Sequence, residues 1–260
     1  MLSYQHIYHA GNPADVQKHA LLAWLLDYMT AKDKALTYME THSGRGLYAL
    51  DAPEAVKTGE AAAGIGRMEA GFPADHPYRR CLETVRGVAG PAAYPGSPLI
   101  AASLLRPFDR IVLAELHPRE HAALREAMAS VYADIRREDG LAMALSMCPP
   151  TPRRGVLMID PSYEVKDDYD RLPGLIGAIA RKWPVGIILL WYPILTGGAH
   201  GPMLDRLMAA HPEALRHEVR FAPVRPGHRM VGSGMFVINP AWGMADEAAR
   251  ISALFRAMGG

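Results

Sequence analysis

The sequence predicts an α/β fold built on one mostly parallel sheet. Segments of strand character alternate with segments of helical period along most of the 260 residues. The clearest strand-like runs are short and apolar, as strands covered on both faces are. Acids and glycines follow the strand-like runs, where open α/β sheets bind ligands. Hydrophobic residues make up 50% and charged residues 21%, enough to bury a core and to exclude global disorder.

The elements follow in order. Ala14 to Thr30 reads as a helix capped by Asn12 or Asp15, with Val16, Ala20, Leu21, Trp24, Leu25 and Tyr28 on one apolar face. Ala35 to Glu40 is a strand running into the glycine-bearing turn Thr41-His42-Ser43-Gly44-Arg45-Gly46. Residues 49 to 96 break the alternation. They hold Gly, Pro and Ala, no convincing strand, and helical patches at Glu54 to Ala70 and His76 to Val88, so they read as a small helical insertion subdomain. Ser97 and Pro98 read as N-cap and first position of a helix, Leu99 to Leu105. Arg110 to Glu115 is a second strand ending in an acid, and Pro118 to Ser130 a helix. Tyr132 to Arg137 is a third strand, followed by Glu138-Asp139-Gly140 and a helix to Met147. Gly155 to Asp160 is a fourth, buried strand. Asp167 to Lys182 is a helix, Val185 to Trp191 a fifth strand and Pro202 to Ala210 a helix. Leu215 to Phe221 and Gly234 to Ile238 are the last strands, and Ala245 to Met258 is the closing helix.

The last two strands are joined by a segment too short for a crossover helix, so they should form an antiparallel hairpin. The sum is a Rossmann-like, seven-stranded, mostly parallel sheet with an antiparallel final hairpin, the outline of class I methyltransferases. The expected organisation is one such domain, residues 1–48 and 97–260, with an insertion at 49–96.

Composition narrows function less sharply. Lys and Arg total 28 against 27 Asp and Glu, a formal net charge of +1. That excludes a histone-like binder and leaves a local basic patch open. Two cysteines, Cys81 and Cys148, exclude a disulfide framework and a four-thiolate zinc site. The N-terminus has no signal-peptide pattern, and the longest apolar run, around Val185 to Trp191, is too short to span a bilayer. The expectation is a cytoplasmic protein without membrane contact.

Asp160-Pro161-Ser162-Tyr163, after the fourth strand, carries the sharpest chemical signal. A carboxylate and a neighbouring carbonyl can accept both N–H bonds of a planar exocyclic amine, and an aromatic ring can stack on its base. Taken alone, the tetrapeptide serves equally well as strand-end punctuation. The turn at Gly44 and Gly46 permits close approach to a ligand, but lacks the third glycine of a dinucleotide fingerprint and no helix follows at once. This argues for a cofactor other than NAD. Glu115 sits where strand-end acids accept ribose hydroxyls. Asp139-Gly140 is placed to reach an adenine amine. Each is unremarkable alone; together, four successive strand ends carry what an adenosine-bearing cofactor needs. His6, His9, His19 and His42 lack the spacing of a usual metal site, so no metal is expected. There is no G-x-S-x-G elbow and no P-loop, and Gly232-Ser233-Gly234 lies between two strand runs.

Several longer blocks carry a family resemblance. Tyr4-Gln5-His6, then His9-Ala10-Gly11-Asn12-Pro13-Ala14-Asp15-Val16-Gln17-Lys18-His19, resembles the opening of bacterial 23S ribosomal RNA adenine-N6 methyltransferases of the RlmJ type. Thr41-His42-Ser43-Gly44, Tyr94-Pro95-Gly96-Ser97-Pro98, Glu115-Leu116-His117-Pro118, Asp160-Pro161-Ser162-Tyr163-Glu164, Leu190-Trp191-Tyr192-Pro193 and Gly232-Ser233-Gly234-Met235 follow in the family's order. The resemblance implies S-adenosylmethionine as methyl donor, and methylation of one adenine N6 in 23S rRNA that is protein-free or in an early assembly intermediate. The expected state is a monomer. It implies cofactor contacts from His19, His42, Ser97, Glu115, Asp139, Gly140 and Asp160. Tyr4 and Lys18 would lie on the substrate side. Two positions depart from the pattern: Ser162 replaces a second proline, and Pro13 replaces a histidine.

On this reading Asp160 and the Pro161 carbonyl polarise the amine, and Tyr163 sandwiches an extruded base. RNA contacts are sought at Arg79-Arg80, Arg86, Arg136-Arg137, Arg153-Arg154 and, most of all, at Arg225, His228 and Arg229. The rival readings are a DNA adenine methyltransferase and a non-catalytic nucleic-acid-binding protein on the same fold.

Overall fold

The computed structural model describes residues 4–223, 227 and 229–259. A 3-10 turn, His6–Tyr8, leads into α1 (Pro13–Thr30) and β1 (Thr37–Glu40). Next come β2 (Leu47–Ala49), α2 (Pro53–Thr58), α3 (Glu60–Ala63), α4 (Ile65–Met68), a 3-10 turn at Glu69–Gly71, α5 (Pro77–Ala89) and β3 (Ala93–Pro95). The remainder is α6 (Ser97–Leu104), β4 (Arg110–Ala114), α7 (Pro118–Ala127), β5 (Asp134–Arg136), α8 (Gly140–Met147), β6 (Gly155–Ile159), α9 (Asp168–Lys182), β7 (Ile187–Leu195), α10 (Gly201–Ala210), β8 (Leu215–Arg220), β9 (Met230–Ile238) and α11 (Met244–Ala257).

Seven strands form one sheet in the order β5-β4-β1-β6-β7-β9-β8. β1 pairs in parallel with β4 and β6, and β9 runs antiparallel to both β7 and β8. This is the seven-stranded sheet of the class I methyltransferase fold, with the antiparallel hairpin at its end. β1 and β6 are buried throughout, as strands of a sheet covered on both faces are, and β6 is a run of apolar residues.

The sequence expectation differs from the structure in informative ways. α1 is not a one-faced helix: Asp15, Gln17, Lys18 and His19 are as buried as its leucines. It is wrapped by α5, α6, α11 and β9. Asn12 caps it, its side-chain oxygen accepting from Asp15 N–H at 2.8 Å. Ser97 is not a cap. Gly96 holds that position, and the Ser97 hydroxyl donates instead to the buried Glu40 carboxyl. The patch at 54–70 is three short helices and a 3-10 turn; Gly59, with φ +67°, ends the first of them. Residues 47–49 and 93–95 pair as a two-stranded sheet, which composition concealed. Gly232-Ser233-Gly234 lies inside β9, which begins earlier than expected. Among the described residues no helix is long and apolar enough to cross a membrane.

The short helices α3 and α4 pack directly on the approach to α1. Ile65 N–H donates to the Gly11 carbonyl at 2.8 Å, and Asn12 donates to Glu60 at 3.1 Å. A Cβ on Gly64 would lie 2.1 Å from the Gly11 oxygen. Gly64→Ala should therefore destabilise the protein by about 1–3 kcal/mol through overpacking. Gly87→Ala, on α5 with nothing within 4 Å, should stabilise it by about 0.5–1 kcal/mol. Urea unfolding of both variants checks the pair, and equal effects would contradict it.

Candidate active site

A cavity of about 640 Å³ opens outside the carboxyl ends of β1, β4 and β6. Its wall brings together Tyr4, Lys18, His19, His42, Ser97, Glu115, Asp139, Gly140, Asp160, Pro161, Tyr163 and Arg229, residues separated by up to 225 positions. Arg225 and His228 lie outside the described residues.

The most charged point of this wall is a relay across α1. Tyr4 Oη lies 2.7 Å from His6 Nδ1, and His6 Nε2 lies 2.8 Å from Asp15. Lys18 Nζ is 3.0 Å from Asp15 Oδ1 and donates to Asp160 Oδ2 at 2.6 Å. Burial alone would lower the Lys18 ammonium, but the flanking carboxylates of Asp15 and Asp160 raise it above its ordinary value. Burial likewise pushes the Asp15 carboxyl up. His6 and Lys18 outweigh it and hold the group well below the usual range. The Asp15–Lys18 pair therefore stays ionised. Asp160 is the more open partner, its side chain 13% exposed against 5% for Lys18.

The glycine turn and the strand-end acids line the other side. Gly44 and Gly46 adopt φ +61° and +76°, which a side chain would resist. Gly44 N–H and His117 N–H each donate to Glu115 at 2.8 Å. Asp139 caps α8 by accepting from Leu141 N–H at 2.8 Å. A Cβ on Gly140 would lie 1.8 Å from the Thr41 carbonyl, so only glycine lets this helix start press on the end of β1. His19 Nδ1 lies 2.8 Å from Tyr94 Oη, and burial lowers its imidazole to about 3. Burial lowers His42 to about 4. Both rings are neutral near pH 7.

Glu40 is the residue that sequence reasoning missed. It was read only as the end of a strand. It is fully buried, and Tyr38 donates to it at 3.0 Å beside the Ser97 contact. Burial raises its carboxyl to about 8, with Asp160 adding to the rise against the two hydroxyls and Lys18. An acid closing the strand Ala35 to Glu40, shortly before two glycines, was the available signal. His6 and Asp15, weighed in the sequence as a metal candidate and a helix cap, join instead in the relay to Lys18.

Tyr163 lies in the wall, but most of its ring is committed elsewhere. It stacks on Tyr169 at 4.6 Å, its hydroxyl donates to the Trp191 carbonyl at 2.8 Å, and its φ of +55° is unusual for an aromatic residue. The histidines are dispersed: His6 faces Asp15, His9 faces Glu60 at 3.0 Å and His19 faces Tyr94. Most of the arginine pairs are spent internally. Arg79 contacts Glu83, Arg80 contacts Asp27, Arg86 contacts Glu69, Arg136 contacts Asp134, and Arg154 donates to the Met29 and Lys34 carbonyls.

Comparison with known proteins gives concordant matches. A family model described as "Ribosomal RNA large subunit methyltransferase D, RlmJ" matches residues 33–258. Ribosomal RNA large subunit methyltransferase J of Haemophilus influenzae is 37% identical over 257 residues, 96% of this chain and 92% of that protein. The Escherichia coli protein of the same name is 36% identical over 252 residues, 95% and 90% of the two chains. A crystal structure of a Legionella pneumophila protein is 32% identical, with a TM-score of 0.85 over 94% of this chain and 92% of that one.

Glu40 sets a pH dependence. Between pH 4.5 and 8 the folded chain keeps a proton at Glu40 that the unfolded chain has released. Its stabilising contribution is complete below 4.5 and is lost as pH rises through 8. Glu40→Gln cannot ionise. Its melting temperature should fall less than that of the wild type between about pH 5 and 8.5, a window spanning the shift. Parallel curves would mean that Glu40 is already ionised.

Proposed function

The chain belongs to the RlmJ family of ribosomal RNA large subunit methyltransferases. From that premise we propose that it transfers a methyl group from S-adenosylmethionine to the N6 amine of one adenine in 23S rRNA. The observation that carries the reading is Asp160, held by Lys18 at 2.6 Å in the wall of the cavity.

The residues fit the cofactor. The volume is in the range of small-molecule sites. Ser43 Oγ is buried in the cavity wall with no hydrogen-bond partner among the described residues, as a group awaiting a ligand would be. Glu115 would accept ribose hydroxyls. Asp139 and Gly140 would take the adenine, and Ser97 lines the same wall and bonds the buried Glu40. When bound, S-adenosylmethionine supplies an electrophilic sulfonium methyl.

An adenine amine is a poor nucleophile, because its lone pair is delocalised into the ring. The chain must localise that pair and align it. Lys18 occupies Oδ2 of Asp160, while Oδ1 carries no hydrogen bond among the described residues and can accept one N6–H. The Pro161 carbonyl would accept the other. Both acceptors stabilise positive charge as it grows on nitrogen while the new N–C bond forms. The proton then released from N6 leaves by way of Asp160 to solvent. Alignment supplies much of the remaining acceleration. Tyr4 and Lys18 frame the substrate side, and Arg229, with Arg225, is proposed to take RNA phosphate.

Three experiments follow from this reading. The wild type, incubated with S-adenosylmethionine, should form N6-methyladenine in protein-free 23S rRNA, faster than in assembled large subunits and not in duplex DNA; modification of DNA alone would overturn the RNA reading. Asp160→Asn should keep cofactor affinity by calorimetry and lose about a hundredfold or more in turnover, the scale of losing a charge-stabilising partner. Turnover near wild type would remove Asp160 from the chemistry. Charge reversal at Arg225 and Arg229 should weaken RNA binding, with a shallower salt dependence, and leave cofactor binding alone.

A further inference from the structure

With Tyr163 packed into the wall, the target base needs another aromatic surface beside Asp160. We infer that the face of the Trp191 indole, held from its edge by Ser233, is the platform on which the target adenine stacks. This rests on the adenine-methylation reading above and adds to it a residue that fixes the base.

Register places the ring. Ile159 pairs with Leu190 in parallel strands β6 and β7, so the next residues, Asp160 and Trp191, stand level on neighbouring strands. Trp191 is partly exposed and lines the same cavity. Lys18 Nζ lies 5.4 Å from its ring centroid, so one face of the indole is turned toward the ammonium that holds Asp160. A base stacked on the part of that face clear of the ammonium would present an edge to the carboxylate. Base–aromatic stacking needs only a π-face, so it tolerates any base. Asp160 would then select for an exocyclic amine.

The residue is held once at its ring and once at its backbone. Its indole N–H donates to Ser233 Oγ at 2.8 Å, and its backbone carbonyl accepts from the Tyr163 hydroxyl at 2.8 Å. This gives Gly232-Ser233-Gly234 a purpose. A Cβ on Gly234 would lie 2.0 Å from the Tyr192 ring, and one on Gly232 would lie 2.5 Å from the Val219 carbonyl. Both flanking positions are confined to glycine by packing. Ser233 between them is fully buried and spends its hydroxyl on the indole.

The test combines kinetics on 23S rRNA with intrinsic fluorescence. The chain has 4 tryptophans, so the difference between wild type and Trp191→Phe isolates the Trp191 signal. RNA titration should quench that signal. Trp191→Leu should lose roughly ten- to a hundredfold in kcat/KM for RNA, the scale of one base–aromatic stack, and Trp191→Phe should lose less. Ser233→Ala should fall between wild type and Trp191→Leu and shift the Trp191 emission. S-adenosylmethionine affinity by calorimetry should stay within about twofold of wild type in each, as expected for a contact on the base alone. RNA kinetics of Trp191→Leu equal to wild type, or an unquenched Trp191 signal, would overturn the proposal while leaving the methyltransferase reading intact. If Trp191→Leu does not fold, Trp191→Phe and the quenching decide. A wild type that methylates no adenine in rRNA would overturn both.

Discussion

The buried ammonium of Lys18 is the constraint around which this site is built. It joins Asp15 on its own helix to Asp160 at the end of β6, with contacts of 3.0 and 2.6 Å. A charge so deep is costly unless paired, and removing one partner of such a pair typically costs about 3–5 kcal/mol. The pairing in turn demands that α1 lie inside the molecule. That demand explains why the helix is wrapped on several sides, and why Asn12 rather than Asp15 caps it: the Asp15 carboxylate is needed for Gly11, His6 and Lys18. The segment around α3 and α4 serves the same end. Glu60 takes up His9 and Asn12, and Gly64 lets α4 sit against the Gly11 carbonyl.

Much of the fold was legible because the apolar strands and glycine turns obey local rules. Acids follow the strands closely, on the next residue for Glu115 and Asp160 and three residues on for Asp139, so the three could be read as one edge before any geometry was known. What escaped was set by tertiary contacts. Ser97 looks like a cap in sequence, and only the proximity of β1 reveals that its hydroxyl is taken by Glu40. Glu40 looks like any strand-end acid, and its neutrality comes from a burial that no local pattern states. β2 and β3, three residues each, are too short for periodicity to register. The glycines of β9 looked like a loop because their reasons, the ring of Tyr192 for Gly234 and the Val219 carbonyl for Gly232, come from neighbouring strands.

The cavity divides into two sides with different chemistry. Around Gly44, Glu115 and Asp139 it offers backbone turns and carboxylates, suited to hydroxyls, amines and positive charge. Around Lys18, Trp191 and Arg229 it offers cations and an aromatic face, suited to a nucleotide. Asp160 stands at the junction. A carboxylate there is attractive to an amine from the nucleotide side and to positive charge from the cofactor side, so the same group can draw the two reactants toward one point. Lys18 keeps that attraction from becoming a trap, because it already neutralises much of the charge.

The net charge of +1 then has a physical reading. An enzyme that coats RNA must keep its arginines in solvent, whereas many here are used within the fold. Arg106 alone donates to the carbonyls of Thr30, Lys32 and Lys34 and to Asp109. Long-range electrostatic capture is therefore weak, and selection must occur at short range, after the base has entered. A flat indole and one oriented carboxylate are suited to that order of events. Stacking rewards any extruded base, and only a base carrying an amine satisfies the carboxylate at the ring's edge. Specificity in this arrangement comes from the final ångströms of approach rather than from the field around the molecule.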